Sequence, residues 1–130
     1  MGYRSDIEVI VSNEGYSVLK NFILSQADEY NKKYPNSGEQ PNILEFADNI
    51  ENKKTYTHIY FSYLKYYEDF PEVQIFENAL DFLEKNGYSI RFAMIGEDLN
   101  DNTVRYCDGE KDANVRIPHL WINRSFSSEL

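Results

Sequence analysis

The stretch Asp69-Phe70-Pro71-Glu72-Val73-Gln74-Ile75-Phe76-Glu77-Asn78-Ala79-Leu80-Asp81-Phe82-Leu83-Glu84-Lys85-Asn86-Gly87 decides the fold. Pro71 fits the first turn of a helix, where its missing N–H costs nothing, with Asp69 or the residue after it as cap. Glu72 suits the positive end of the helix dipole. Val73, Phe76, Ala79, Leu80, Phe82 and Leu83 make a wide apolar arc at helical spacing. Asn86-Gly87 ends the helix, with Gly87 supplying the left-handed residue that a helix C-terminus needs. Immediately downstream, Tyr88, Ile90, Phe92 and Met94 alternate with Ser89, Arg91 and Ala93, the period of a strand from Tyr88 to Ile95.

Working upstream, Thr55–Tyr66 is aromatic and β-branched, and Ile43–Ile50 places Leu44, Phe46 and Ile50 in alternation. Polar Glu51-Asn52-Lys53-Lys54 between them predicts a hairpin turn. Residues 34–41 carry Pro35, Gly38 and Pro41 and predict a loop. Before it, Leu19, Phe22, Ile23, Ala27 and Tyr30 share one face of a helix from about Glu14 to Lys33. Residues 6–11 alternate, with Ile7, Val9 and Val11 on one side and Asp6, Glu8 and Ile10 on the other. Downstream of Ile95, short strands are expected at Thr103–Cys107 and Val115–Ile122, with Pro118 confining the second to an edge or bulge. The order β-α-β-β-α-β predicts an α+β, ferredoxin-like sheet with two helices on one face and a C-terminal β-hairpin extension. An α+β sandwich of different strand order is the alternative.

The chain has 130 residues, enough for one domain (1–130) with a core that needs no disulfide or metal. Its 42% apolar content, with 8 Phe and 11 Tyr, excludes intrinsic disorder. Thirteen basic against 22 acidic side chains leave a net charge of −9. That sign opposes nucleic-acid and anionic-membrane binding and favours a basic partner. The single Cys107 suits a reducing compartment. No apolar run reaches the length of a signal peptide or a membrane span, so the expected location is cytoplasmic.

The charge is segregated. Residues 34–52 hold Glu39, Glu45, Asp48 and Glu51 with no base. Residues 66–84 hold Glu68, Asp69, Glu72, Glu77, Asp81 and Glu84, again with none. Residues 97–112 hold six acids, among them Glu97, Asp98 and Asp101, against Arg105 and Lys111. These stretches carry −14, leaving +5 on the rest. Glu77, Asp81 and Glu84 share one helical face, a like-charge row without evident intrachain compensation. Reversing them to Lys is therefore expected to spare the fold. Tyr66 and Tyr67 flank the acids as aromatic anchors, and tyrosine is enriched at interfaces. Tyr56, His58 and Tyr60 would lie on the sheet face away from the helices, facing solvent, the C-terminal hairpin or a second copy of the chain.

Catalytic chemistry is not evident. No glycine-rich phosphate loop and no nucleophile elbow occurs. Asp98, Asn100 and Asn102 alternate like the start of a calcium loop, but its sixth and twelfth positions are Thr103 and Gly109, so no metal is expected. His58 and His119 lack a second ligand at zinc spacing. Aromatics on a βαββαβ sheet fit an RNA-binding surface, but the basic side chains that surface needs are missing. No cofactor and no catalytic residue is expected.

Met1-Gly2-Tyr3-Arg4-Ser5-Asp6 before an alternating strand, Lys65-Tyr66-Tyr67-Glu68-Asp69 before a helix, and Ile95-Gly96-Glu97-Asp98 closing a strand resemble small acidic proteins of phages and other mobile elements. The group has no defined activity to carry over. The resemblance implies a context in which such proteins block another protein, commonly a nuclease or a defence component. The expected function is thus a non-enzymatic acidic protein that neutralises a basic nucleic-acid-handling protein, as a nuclease-toxin immunity protein or a phage anti-defence inhibitor. The expected contact residues are Tyr66, Tyr67, Glu68, Asp69, Glu77, Asp81, Glu84, Glu97, Asp98 and Asp101. The alternatives are a small structural or regulatory module, and a metal-dependent enzyme using the acidic 97–112 loop.

Overall fold

The computed structural model describes residues 3–98, 101–118 and 120. Its elements are β1 (Ser5–Ser12), α1 (Asn13–Lys33), β2 (Asn49–Asn52), β3 (Tyr56–Leu64), α2 (Pro71–Lys85), β4 (Ile90–Gly96) and β5 (Asn102–Cys107). Short 3-10 turns occupy Ile43–Phe46 and Glu110–Asp112. The five strands form one antiparallel sheet in the order β2-β3-β1-β4-β5. The fold is α+β of ferredoxin-like type, with β1 central between β3 and β4 and the added strand β5 on the β4 edge.

Each helix boundary has a local cause. The Ser12 hydroxyl accepts the Gly15 N–H at 2.9 Å and caps α1. Phe70 holds the capping position of α2 without a side-chain bond, and Pro71 follows it. At the other end Gly87 adopts φ 85°. Tyr88 N–H donates to the Leu83 carbonyl at 3.0 Å and Gly87 N–H to Glu84 at 3.2 Å, the paired bonds of a Schellman stop.

Both helices lie on one face. There Ile7, Val9 and Val11 of β1, Ile59 and Phe61 of β3, and Ile90 and Phe92 of β4 meet Leu19 and Ile23 of α1 and Phe76, Ala79, Leu80 and Leu83 of α2. Most of these side chains have no exposed surface, and each large one stabilises the fold by about 1.5–3 kcal/mol. On the other face the registers align Ile10 with His58 and Arg91, and Glu8 with Tyr60 and Ala93. Tyr56, His58 and Tyr60 are half-buried there, while Ile10, Ala93 and Ile95 are buried. The Thr55 hydroxyl donates to the Arg116 carbonyl at 2.7 Å, so the chain after the second 3-10 turn runs beside the start of β3.

Three expectations change. Residues 43–46 form a 3-10 turn, not a strand, because the Asn42 side chain accepts the Leu44 N–H at 3.0 Å and bends the backbone while Ile43 is buried. Among the described residues the hairpin extension supplies one strand, β5, paired with β4. Residues 115–118 belong to no strand, and His119, Trp121 and Ile122 lie outside the described residues. The β4 strand starts at Ile90 because Tyr88 and Ser89 are committed elsewhere. Ser89 N–H donates to Asp112 at 2.6 Å, and Lys111 N–H to the Gly87 carbonyl at 2.9 Å.

Candidate functional site

The antiparallel order brings the start of β1, the end of β3, the end of β4 and the start of β5 to one end of the sheet. The linker to α2 begins there. Tyr66, Tyr67, Glu68 and Asp69 therefore gather with Glu97, Asp98 and Asp101, although about thirty positions separate the two groups in sequence.

Tyr3 ties the groups together. Its backbone N–H donates to the Tyr67 hydroxyl, and its own hydroxyl donates to Asp101 Oδ2 at 2.6 Å. The Asp98 N–H donates to the same hydroxyl at 3.1 Å. The bond to Asp101 holds the Tyr3 phenol above its ordinary pKa. Arg4 N–H donates to Glu97 Oε2 at 2.8 Å. Glu97, Asp98 and Asp101 are thus tied to the two residues that precede β1.

Tyr63 stands beside this cluster on a bulge. Ser5 pairs with Leu64 and Ile7 with Phe61, so Ser62 and Tyr63 together oppose Asp6. Tyr63 adopts φ 56°, the left-handed conformation that costs a side chain about 1–2 kcal/mol. Asp6 Oδ1 accepts its N–H at 2.8 Å, and Arg4 Nη1 donates to its carbonyl at 3.2 Å. The Arg4 guanidinium lies 5.0 Å from the ring centroid. The bulge leaves Tyr63 66% exposed, the most exposed of the large hydrophobic side chains described.

Between the start of α2 and the end of β4 lies a groove of about 670 Å³, lined by Tyr66, Tyr67, Glu68, Asp69, Val73, Glu77 and Met94. Tyr66 packs against Phe76 and Phe92, and its hydroxyl donates to Glu77 Oε2 at 2.6 Å. Burial, then the Glu77 carboxylate, push the Tyr66 phenol far above its usual range. Glu68 and Asp69 have no basic partner among the described residues.

Asp81 and Glu84 do not join this end. They lie farther along α2, and the row they form with Glu77 is compensated, contrary to the sequence expectation. In β5, Arg105 pairs with Phe92 and so faces the helices. Its guanidinium lies 2.7 Å from Asp81, 2.9 Å from Glu84 and 3.7 Å from Glu77. Reversing these acids would set three lysines around a guanidinium only 25% exposed, so the expected tolerance of that change is overturned.

The acidic 97–112 stretch is likewise not one loop, because β5 divides it. Asp108 pairs at 2.8 Å with Arg91, and Asp112 accepts the Ser89 N–H, both beyond the far end of β5. Among the described residues no three His, Cys, Asp or Glu side chains converge as a metal-ligand set. Asn100 lies outside the described residues. Burial, with Glu84 and Asp108 nearby, pushes the Cys107 thiol up, away from an activated thiolate. His58 faces Glu8 at 2.6 Å on the sheet face away from the helices. No helix among the described residues is long and apolar enough to cross a membrane.

Sequence reasoning missed Tyr3, Met94 and Arg105. Alternation within Thr103–Cys107 separates Arg105 from Val104 and Tyr106 and was the available signal for its inward direction. Comparisons with protein-family models, with curated proteins and with solved structures give no match for this chain.

Proposed function

We propose that the protein is a non-enzymatic, cytoplasmic binding protein that neutralises a basic nucleic-acid-handling protein, such as a nuclease toxin or a host defence nuclease. The observation that supports this most is the gathering of Tyr3, Tyr63, Tyr66 and Tyr67 with Glu68, Asp69, Glu97, Asp98 and Asp101 at one end of the sheet. Tyrosine supplies contact area at low entropic cost, and the hydrogen bonds from Tyr3 to Asp101 and from the Arg4 N–H to Glu97 hold two of the carboxylates in place before docking. A negative field at one end steers a basic partner and sets its orientation. Occupying a groove that otherwise takes a phosphate backbone would then block nuclease action without chemistry. The resemblance to small acidic proteins of mobile elements points the same way.

The test is affinity capture from host extract at low and high salt, followed by a cleavage assay on the captured protein. A basic nuclease, released by salt and inhibited stoichiometrically, supports the reading. An acidic partner, or a captured nuclease whose cleavage is unaffected, contradicts it.

A further inference from the structure

We infer that the groove between the start of α2 and the end of β4 receives an arginine side chain of the partner protein. The inference rests on the binding reading above and deepens it by naming the anchoring chemistry.

The lining has two parts. Val73, Met94 and the Tyr66 and Tyr67 rings offer apolar surface for the three methylenes of an arginine stem. Glu68, Asp69 and Glu77 offer carboxylates. The first two have no basic partner among the described residues. Glu77 is prepositioned, because the Tyr66 hydroxyl holds Oε2 at 2.6 Å while Arg105 stands at 3.7 Å from Oε1. The N-terminus of α2 contributes about half a positive charge nearby, which Glu68 and Asp69 outweigh even with Glu77 shared with Arg105. An anion is therefore rejected and a cation favoured.

Arginine fits better than lysine. A planar guanidinium takes two carboxylate oxygens at once and stacks on tyrosine, whereas an ammonium is more strongly hydrated. The molecule already binds guanidinium in both ways, Arg105 on the carboxylates of α2 and Arg4 over the Tyr63 ring.

The chain has two methionines, Met1 and Met94, so ¹³C-methyl labelling gives a reporter inside the groove. The probe is a blocked Arg-Gly-Arg-Gly-Arg peptide, titrated at physiological salt beside its lysine and citrulline counterparts. The expected result is a saturable shift of the Met94 methyl with the arginine peptide, about tenfold weaker with lysine and absent with the neutral citrulline. Glu68→Gln with Asp69→Asn should weaken the arginine affinity about tenfold while the melting temperature holds, as expected for exposed sites. An unmoved Met94 methyl, equal shifts from the citrulline peptide, or an unaltered affinity in the double variant would overturn the inference. The proposed function fails separately. It falls if no basic partner is captured, and it stands if a basic nuclease is inhibited equally by wild type and the double variant, in which case only the groove assignment is lost.

Discussion

Replacing Arg105 with methionine removes the one cation among the described residues that the acid row of α2 shares and keeps a stem of similar length. The guanidinium makes two short contacts, 2.7 Å to Asp81 and 2.9 Å to Glu84, and a longer one of 3.7 Å to Glu77. The carboxylates are 45–65% exposed, so each short pair contributes about 0.2–1 kcal/mol, not the larger figure of a buried bridge. Removing the cation also uncovers the repulsion of Glu77 with Asp81 and of Asp81 with Glu84, about 0.2–0.5 kcal/mol for each pair. Together the expected loss is about 1.5 kcal/mol. For a domain of this length that lowers Tm by about 6 °C. Differential scanning calorimetry at low salt and at about 1 M salt is the assay. The deficit should shrink by half or more at high salt, where the Debye length falls to about 3 Å. Asp81→Asn with Glu84→Gln in the Arg105→Met background should restore most of the melting temperature. An Arg105→Met variant melting within about 1 °C of wild type at low salt would refute the reasoning.

Other consequences follow from single contacts. Glu72 is buried, with Oε1 unbonded, and burial raises its carboxyl above the ordinary range even though the helix N-terminus favours its charge. Its protonated form is therefore the better tolerated, and stability at this site is lost as pH rises through the raised folded value. Glu72→Gln should stabilise by about 1 kcal/mol at pH 7, with the gain vanishing below the unfolded carboxylate range, as read by melts across pH. Ser12→Ala removes the α1 cap and should cost about 1 kcal/mol, measured by urea unfolding with an unchanged slope. At Gly109 an added Cβ would lie 2.1 Å from the Gly87 carbonyl oxygen, so Gly109→Ala should destabilise by about 1–3 kcal/mol and expose the Lys111 and Ser89 amides to hydrogen exchange.

Much of the fold is legible in residue patterns. Pro71, the apolar arc and Gly87 bound α2 because each acts within a turn of its own position. The alternation of Ile7, Val9 and Val11 reads directly as a core face. Residues 43–46 mislead because alternation over four positions does not distinguish a strand from a turn. Asn42, whose side chain decides the matter, acts on the backbone two residues on. The site is legible in its composition and less so in its geometry. Tyr66, Tyr67, Glu68 and Asp69 are adjacent in sequence, so their grouping is local. Their meeting with Glu97, Asp98 and Asp101 depends on strand order, and the latch through Tyr3 on contacts across 64 and 98 positions. Charge counting alone suggests an uncompensated row on α2, because Arg105 reaches it only across the sheet from β5.

The association rate between this protein and its captured partner, followed by stopped flow as ionic strength rises from about 0.01 M to about 1 M, tests the binding reading at its centre, since the Debye length contracts from about 30 Å to about 3 Å over that range. An acidic, tyrosine-bearing surface meeting a basic partner predicts a rate that falls steeply with salt, with a shallower slope for Glu68→Gln/Asp69→Asn. A rate indifferent to salt, with the same slope in wild type and the double variant, would contradict it.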